Sequence, residues 1–111
     1  MMKKNLILIS LDTVRADVGY SGQFATINFI QNKGVTFLNT IATAPLTPVS
    51  HASVFTGLYP YKHGIRHLFR ETLAPHVNTL AQYMKADGYR TGAIVSCPGM
   101  NRWYGFGKGF D

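Results

Sequence analysis

The feature that most restricts the fold of this chain is its first apolar run, Leu6-Ile7-Leu8-Ile9-Ser10-Leu11, which stops at Asp12. Apolar residues at successive rather than alternate positions leave no polar face, so such a strand has to be covered on both sides. That is the pattern of a strand inside a parallel sheet, and parallel strands need crossover connections, usually helical. The remaining sequence offers both kinds of element. Phe24, Ile27 and Ile30 predict a short helix over residues 24–33, with Thr26 near its start and Gly34 just past its end. Val35-Thr36-Phe37-Leu38 reads as a second strand that continues weakly to Ile41. Residues 50–56 form a further short helix, introduced by Thr47-Pro48 and stopped at Gly57. Val77, Leu80, Ala81 and Met84 share one face of a helix over residues 77–86, which Gly88 terminates. Residues 90–95 give a third strand, and the glycines and aromatics of 98–110 read as loop.

Strands alternating with helices predict an α/β fold with a parallel sheet. About three strands are too few to close a sheet that needs both faces covered, so residues 1–111 are expected to be part of one domain rather than a whole one.

Composition removes several classes. Hydrophobic residues make up 46% of the chain, which argues against intrinsic disorder. The net charge of +6 comes from basic residues spread between Lys3 and Lys108, with no run of the kind nucleic-acid arms carry. The charge suits an anionic substrate instead. The single cysteine, Cys97, has no internal disulfide partner, which fits a reducing compartment. Met1-Met2-Lys3-Lys4 has the positive start of a signal peptide, but the run that follows is too short and is closed by Asp12 and Arg15. No stretch approaches the ~20 apolar residues of a membrane span. The expected location is cytoplasmic, with neither nucleic acid nor membrane as partner.

Three groups of residues can carry chemistry. Asp12 ends the first strand, at the edge of an α/β sheet where ligands bind, and its hard oxygens suit a divalent cation. Equally, it can cap the turn that follows. Thr47 precedes Pro48 at a helix start, where the helix dipole and unpaired N–H groups favour an alkoxide or a sulfate or phosphate oxygen. As a plain N-cap the same hydroxyl satisfies those N–H groups and is not available to attack. His63, between Lys62 and Gly64, positions a substrate or is structural; His67 and His76 have no metal-ligand spacing.

Taken in order, Leu8 to Asp17, Gly34-Val35-Thr36-Phe37, Thr43-Ala44-Pro45-Leu46-Thr47-Pro48-Val49-Ser50-His51-Ala52-Ser53-Val54-Phe55-Thr56-Gly57-Leu58-Tyr59-Pro60 and His63-Gly64 resemble the sulfatase family of the alkaline phosphatase superfamily. The likeness extends more loosely through Asp87-Gly88-Tyr89-Arg90-Thr91-Gly92 to Gly109-Phe110-Asp111. It implies the N-terminal portion of an alkaline phosphatase-like parallel-sheet sandwich. The family pattern is written C-x-P-x-R or S-x-P-x-R, followed by Ala-Ser and Thr-Gly. The resemblance puts Thr47 at the nucleophile, His51 at the arginine, and Asp12 at the first metal-binding aspartate.

It further implies a divalent cation (Ca, Mn, Zn or Mg) held by Asp12 and Thr47 with ligands from elsewhere, and an anionic small-molecule or glycan ester as substrate. The chain departs from the pattern in several places. Threonine oxidation would give a ketone rather than formylglycine, so direct attack by the Thr47 alkoxide is expected, as in related phosphodiesterases and phosphonate hydrolases. Pro48 precedes Val49 where the family has its proline, Thr13 replaces a second aspartate, and Ser96 falls near a usual lysine. The 111 residues alone are expected to be feeble or inactive. The competing expectation is a non-catalytic, decayed homologue that binds an anion or a partner, or forms an oligomer, through exposed sheet edges.

Overall fold

The computed structural model describes residues 4–111; the charged start at Met1-Met2-Lys3 lies outside them. The chain divides into two compact units, one running up to Thr40 and the other Ile41–Asp111.

In the first unit, α1 (Ala16–Gly19) and α2 (Ala25–Lys33) are the helices. Phe24 stands at the N-cap of α2 and Gly34 at its C-cap, where the Gly34 N–H donates to the Ile30 carbonyl. Both ends fall where the apolar spacing places them. The Arg15 guanidinium grips the Asp17 carboxylate through two N–H groups, at 2.7 and 3.1 Å. Both side chains are exposed, so the pair adds little stability.

The second unit holds α3 (Thr47–Thr56), α4 (Pro60–His63) and α5 (Leu80–Ala86), with short 3-10 turns at Pro98–Met100 and Arg102–Tyr104. Pro48, Val49, Ala52 and Ser53 form the buried face of α3, one stripe at i, i+1, i+4 and i+5. That stripe meets Ile65, Leu73, Val77, Met100 and Phe106 in a core of fully buried side chains. Removing each large apolar side chain from water contributes roughly 1.5–3 kcal/mol. Phe55 closes one flank edge-on against Phe106 and Phe110, at 6.1 and 6.3 Å.

The C-terminal segment wraps this core. The Lys108 ammonium donates to the carbonyls of Ala74, Pro75 and Val77 at 2.9, 3.2 and 3.2 Å. The Asp111 carboxylate accepts from the Lys85 ammonium and the Thr91 N–H, which hold it below the usual carboxylate range.

Several expectations change. Among the described residues no strand ladder forms, so the parallel sheet read from residues 6–11, 35–38 and 90–95 is not shown by them. A strand is fixed by hydrogen bonds to an aligned neighbour, and these runs instead lie exposed, with Ile7 at 80% and Val35 at 81%. Helix α3 begins at Thr47, three residues earlier than expected. Helix α5 begins at Leu80, three later, because Thr79 accepts from the Gln82 N–H while the Gln82 side chain accepts from the Thr79 N–H. The expected 98–110 loop contains two 3-10 turns and buries Met100 and Phe106.

Candidate functional site

Thr47 is the first residue of α3 and Pro48 the second; the N-cap is Leu46, in extended conformation, and its side chain makes no capping hydrogen bond. The expectation of Thr47 as a plain N-cap is therefore corrected. Proline suits this first turn because it lacks the N–H that would otherwise be unsatisfied there. The helix spans ten residues, enough for its aligned peptide dipoles to leave partial positive charge at the Thr47 end. His51 lies one turn on, and its Nδ1 donates to the Thr47 carbonyl at 2.8 Å. A carbonyl only accepts, so Nδ1 carries the proton. A second N–H, at Nε2, then exists only in the imidazolium form.

Beneath the same helix runs a polar chain inside the core. His63 is fully buried. Its Nδ1 accepts the Ile65 N–H at 3.2 Å, which places the ring proton on Nε2, and Nε2 donates to Ser53 Oγ at 3.1 Å. Thr43 Oγ1, four residues before Thr47, donates to the same Ser53 oxygen at 2.8 Å. Burial depresses the basicity of His63 below its ordinary value of 6.5, and its contact with the Val49 backbone only partly opposes this. His63 is thus a neutral core residue that ties α4 to α3, and Ser53 joins it to the segment entering Thr47. Sequence reasoning overlooked Ser53 and Thr43, since their roles depend on partners ten residues away.

An open cleft of about 280 Å³ is lined by Thr43, Ser53, Gly57, Leu58 and Tyr59. Apart from Thr43 it draws on the C-terminal half of α3 and the residues beyond, away from the end that carries Thr47.

Asp12 lies exposed in the first unit. Thr13 beside it has a left-handed backbone, φ 62°, which is uncommon for a β-branched residue, and its hydroxyl donates to the Asp12 carbonyl at 2.7 Å. Among the described residues no three His, Cys, Asp or Glu side chains are grouped to hold a metal ion. These donors do not by themselves fit the implied cation. Among the described residues, no helix is long and apolar enough to cross a membrane.

Residues 4–111 match the sulfatase family model. The chain is 29% identical over 99 residues to an arylsulfatase of Clostridium perfringens (strain 13 / Type A), a match that takes in 84% of this chain and 20% of that protein. The chain therefore spans about a fifth of the length of that relative. No solved structure matches it.

Proposed function

The chain belongs to the sulfatase family, whose fold is of the α/β, alkaline phosphatase-like kind, and we propose that it supplies the nucleophile of an ester hydrolase acting on sulfate or on phosphate or phosphonate esters. The observation that carries this reading is the position of Thr47, the first residue of the ten-residue helix α3, directly before Pro48.

In this mechanism Thr47 Oγ attacks sulfur or phosphorus. A new oxygen–sulfur or oxygen–phosphorus bond forms, the bond to the alcohol oxygen breaks, and the alcohol departs with a proton. Water then cleaves the threonyl ester, restores the hydroxyl and releases the inorganic anion. The N–H groups of the first turn and the His51 side chain stabilise charge on the non-bridging oxygens. The resemblance alone assigns Asp12 to a divalent cation.

Each electrostatic contribution of this kind is worth a few kcal/mol, against the ~8 kcal/mol or more of even modest enzymatic acceleration. Feeble turnover is therefore the expected behaviour of the 111 residues alone, and the first, covalent step is what the test reads. The test is incubation with 4-nitrophenyl sulfate, phosphate and phosphonate esters in the presence of Mn²⁺, Zn²⁺ or Ca²⁺, followed by peptide mass spectrometry. A sulfuryl or phosphoryl adduct on the Thr47 peptide, absent in Thr47→Ala, supports the assignment. An adduct elsewhere, or none, refutes it. Persistent anion binding without any adduct would favour the second reading, a non-catalytic homologue, which the departures at positions 13, 49 and 51 support.

A further inference from the structure

Two neighbouring segments of the second unit leave large apolar side chains in water beside arginines that pair with nothing. The first is the loop between α4 and α5. The Glu71 carboxylate accepts the backbone N–H groups of Arg66 and His67 at 3.2 and 2.9 Å, and its other oxygen meets His67 Nδ1 at 2.5 Å. These bonds fix the two ends of the loop and leave Leu68, Phe69 and Arg70 exposed at its tip. Phe69 has φ 56°, a left-handed conformation that is an outlier for a bulky side chain, and it remains 54% exposed.

The second segment is the 3-10 turn Arg102–Tyr104. The Leu73 N–H donates to the Tyr104 carbonyl at 3.0 Å, and the Phe69 ring tilts against the Tyr104 ring with centroids 5.8 Å apart, so loop and turn stand side by side. The Asn101 side-chain oxygen fixes the turn by accepting the Trp103 N–H at 2.9 Å. Trp103 is nonetheless 79% exposed. Arg66, Arg70 and Arg102 are exposed as well, and none of them enters an ion pair among the described residues. Glu71, the one carboxylate of the two segments, is taken up by the bonds that close the loop.

We propose that Leu68, Phe69 and Trp103, together with Arg66, Arg70 and Arg102, form a docking surface for an anionic lipid bilayer. Tryptophan settles at the headgroup level, and phenylalanine and leucine enter the boundary of the acyl chains. Arginines beside them meet lipid phosphates and the negative surface potential of acidic lipids. Three arginines without carboxylate partners fit a negatively charged surface, and the bare apolar side chains fit one that also takes up hydrocarbon. A soluble polyanion satisfies only the first of these. The closed loop and the strained φ hold the Phe69 ring in water rather than folded onto the core, and such strain persists where the surrounding structure fixes it for a task. Among the described residues no helix is long enough to cross a bilayer, and contact with one leaflet needs none.

Trp103 is the chain's single tryptophan, so its fluorescence reports the contact directly. The 111-residue chain is titrated with vesicles of phosphatidylcholine alone and of phosphatidylcholine mixed equally with phosphatidylserine. On the mixed vesicles only, Trp103 emission should shift to the blue and be quenched by bromine-labelled acyl chains. Arg66→Gln, Arg70→Gln and Arg102→Gln should each weaken binding about fivefold. Phe69→Asn, which suits the positive φ, should weaken it roughly tenfold with no fall in melting temperature, separating a lost contact from lost folding. Ile7→Lys and Val35→Lys, in the other unit, should bind like the wild type. No binding to the mixed vesicles, binding without quenching of Trp103, equal binding to both vesicles, or arginine variants that bind like the wild type would each overturn the proposal. So would loss of binding in Ile7→Lys or Val35→Lys, or an equal blue shift on soluble polyglutamate, which would assign the surface to an acidic protein.

Discussion

Replacing His63 by leucine tests whether the core under α3 is organised by the Thr43–Ser53–His63 chain. Leucine is apolar and fills a similar space, so the perturbation is chiefly the loss of two hydrogen bonds. The Ile65 N–H loses its acceptor inside the core, at roughly 1–3 kcal/mol for an unsatisfied buried donor. Ser53 Oγ loses the Nε2–H but keeps the Thr43 hydroxyl, at about 0.5–1.5 kcal/mol. Burying leucine returns about 1–2 kcal/mol, so a net destabilisation of about 0–3 kcal/mol, centred at roughly 1.5, is expected by urea titration. Ser53→Ala strands the imidazole N–H instead and should cost a similar amount. The double variant removes the shared bond only once, so the cycle should show a coupling of about 1 kcal/mol or more.

The pH dependence supplies a second reading of the same residue. Folded His63 resists protonation, so its contribution is fully present above pH 6.5 and is lost as pH falls below that value toward the folded titration point. A single group steepens the stability profile there by at most about 1.4 kcal/mol per pH unit, and His63→Leu should flatten that limb. Single-variant effects that add within about 0.5 kcal/mol, together with an unchanged acid limb, would refute the argument.

Other substitutions follow from the same structure. His51→Ala should slow adduct formation on the order of 10²-fold, the usual cost of one oxyanion donor, and His51→Arg, a permanent cation, should speed it, both read by mass spectrometry. Glu71→Gln should lower the melting temperature near neutral pH. The His67 side chain, then the His67 and Arg66 backbone N–H groups, pull the Glu71 carboxyl down to about 2, so its contribution is present above about pH 4.5 and is lost as pH falls from there toward 2; the variant should lack that dependence. Gly109→Ala should destabilise by about 3 kcal/mol or more, because φ is +87° and the new Cβ meets the Gln82 backbone nitrogen at the start of α5. Lys108→Met should cost roughly 1–3 kcal/mol in denaturant titration by removing the donor shared by three carbonyls.

What the sequence made legible was local. The ends of α2 fall where Phe24, Ile27, Ile30 and Gly34 place them, since a helix is specified by contacts three and four residues apart. The start of α5 was equally local: Thr79 and Gln82 have the spacing of a reciprocal cap, and the apolar stripe reaching back to Val77 hid it. The sheet was not legible in the same way. The apolar run before Asp12 shows that the segment wants covering, but pairing is decided by residues far away in sequence. In the site, Thr47 stood out as the hydroxyl before Pro48 at a helix start, and His51 only through the family resemblance; the two prove to lie one turn apart on one helix. Ser53 did not stand out, because its partners Thr43 and His63 each lie ten residues away; His63 is singled out by the sequence, but its burial against Ser53 is not legible there.

The bare apolar segments also govern how the molecule behaves in the tube. Ile7, Ile9, Val35, Phe37, Leu38 and Ile94 all face solvent, in short stretches rich in β-branched and aromatic residues. Such stretches adhere to their own kind in neighbouring molecules, so turbidity and thioflavin fluorescence should climb with protein concentration. A lysine at Ile7 or Val35, where no packed core would be disturbed, should delay that growth.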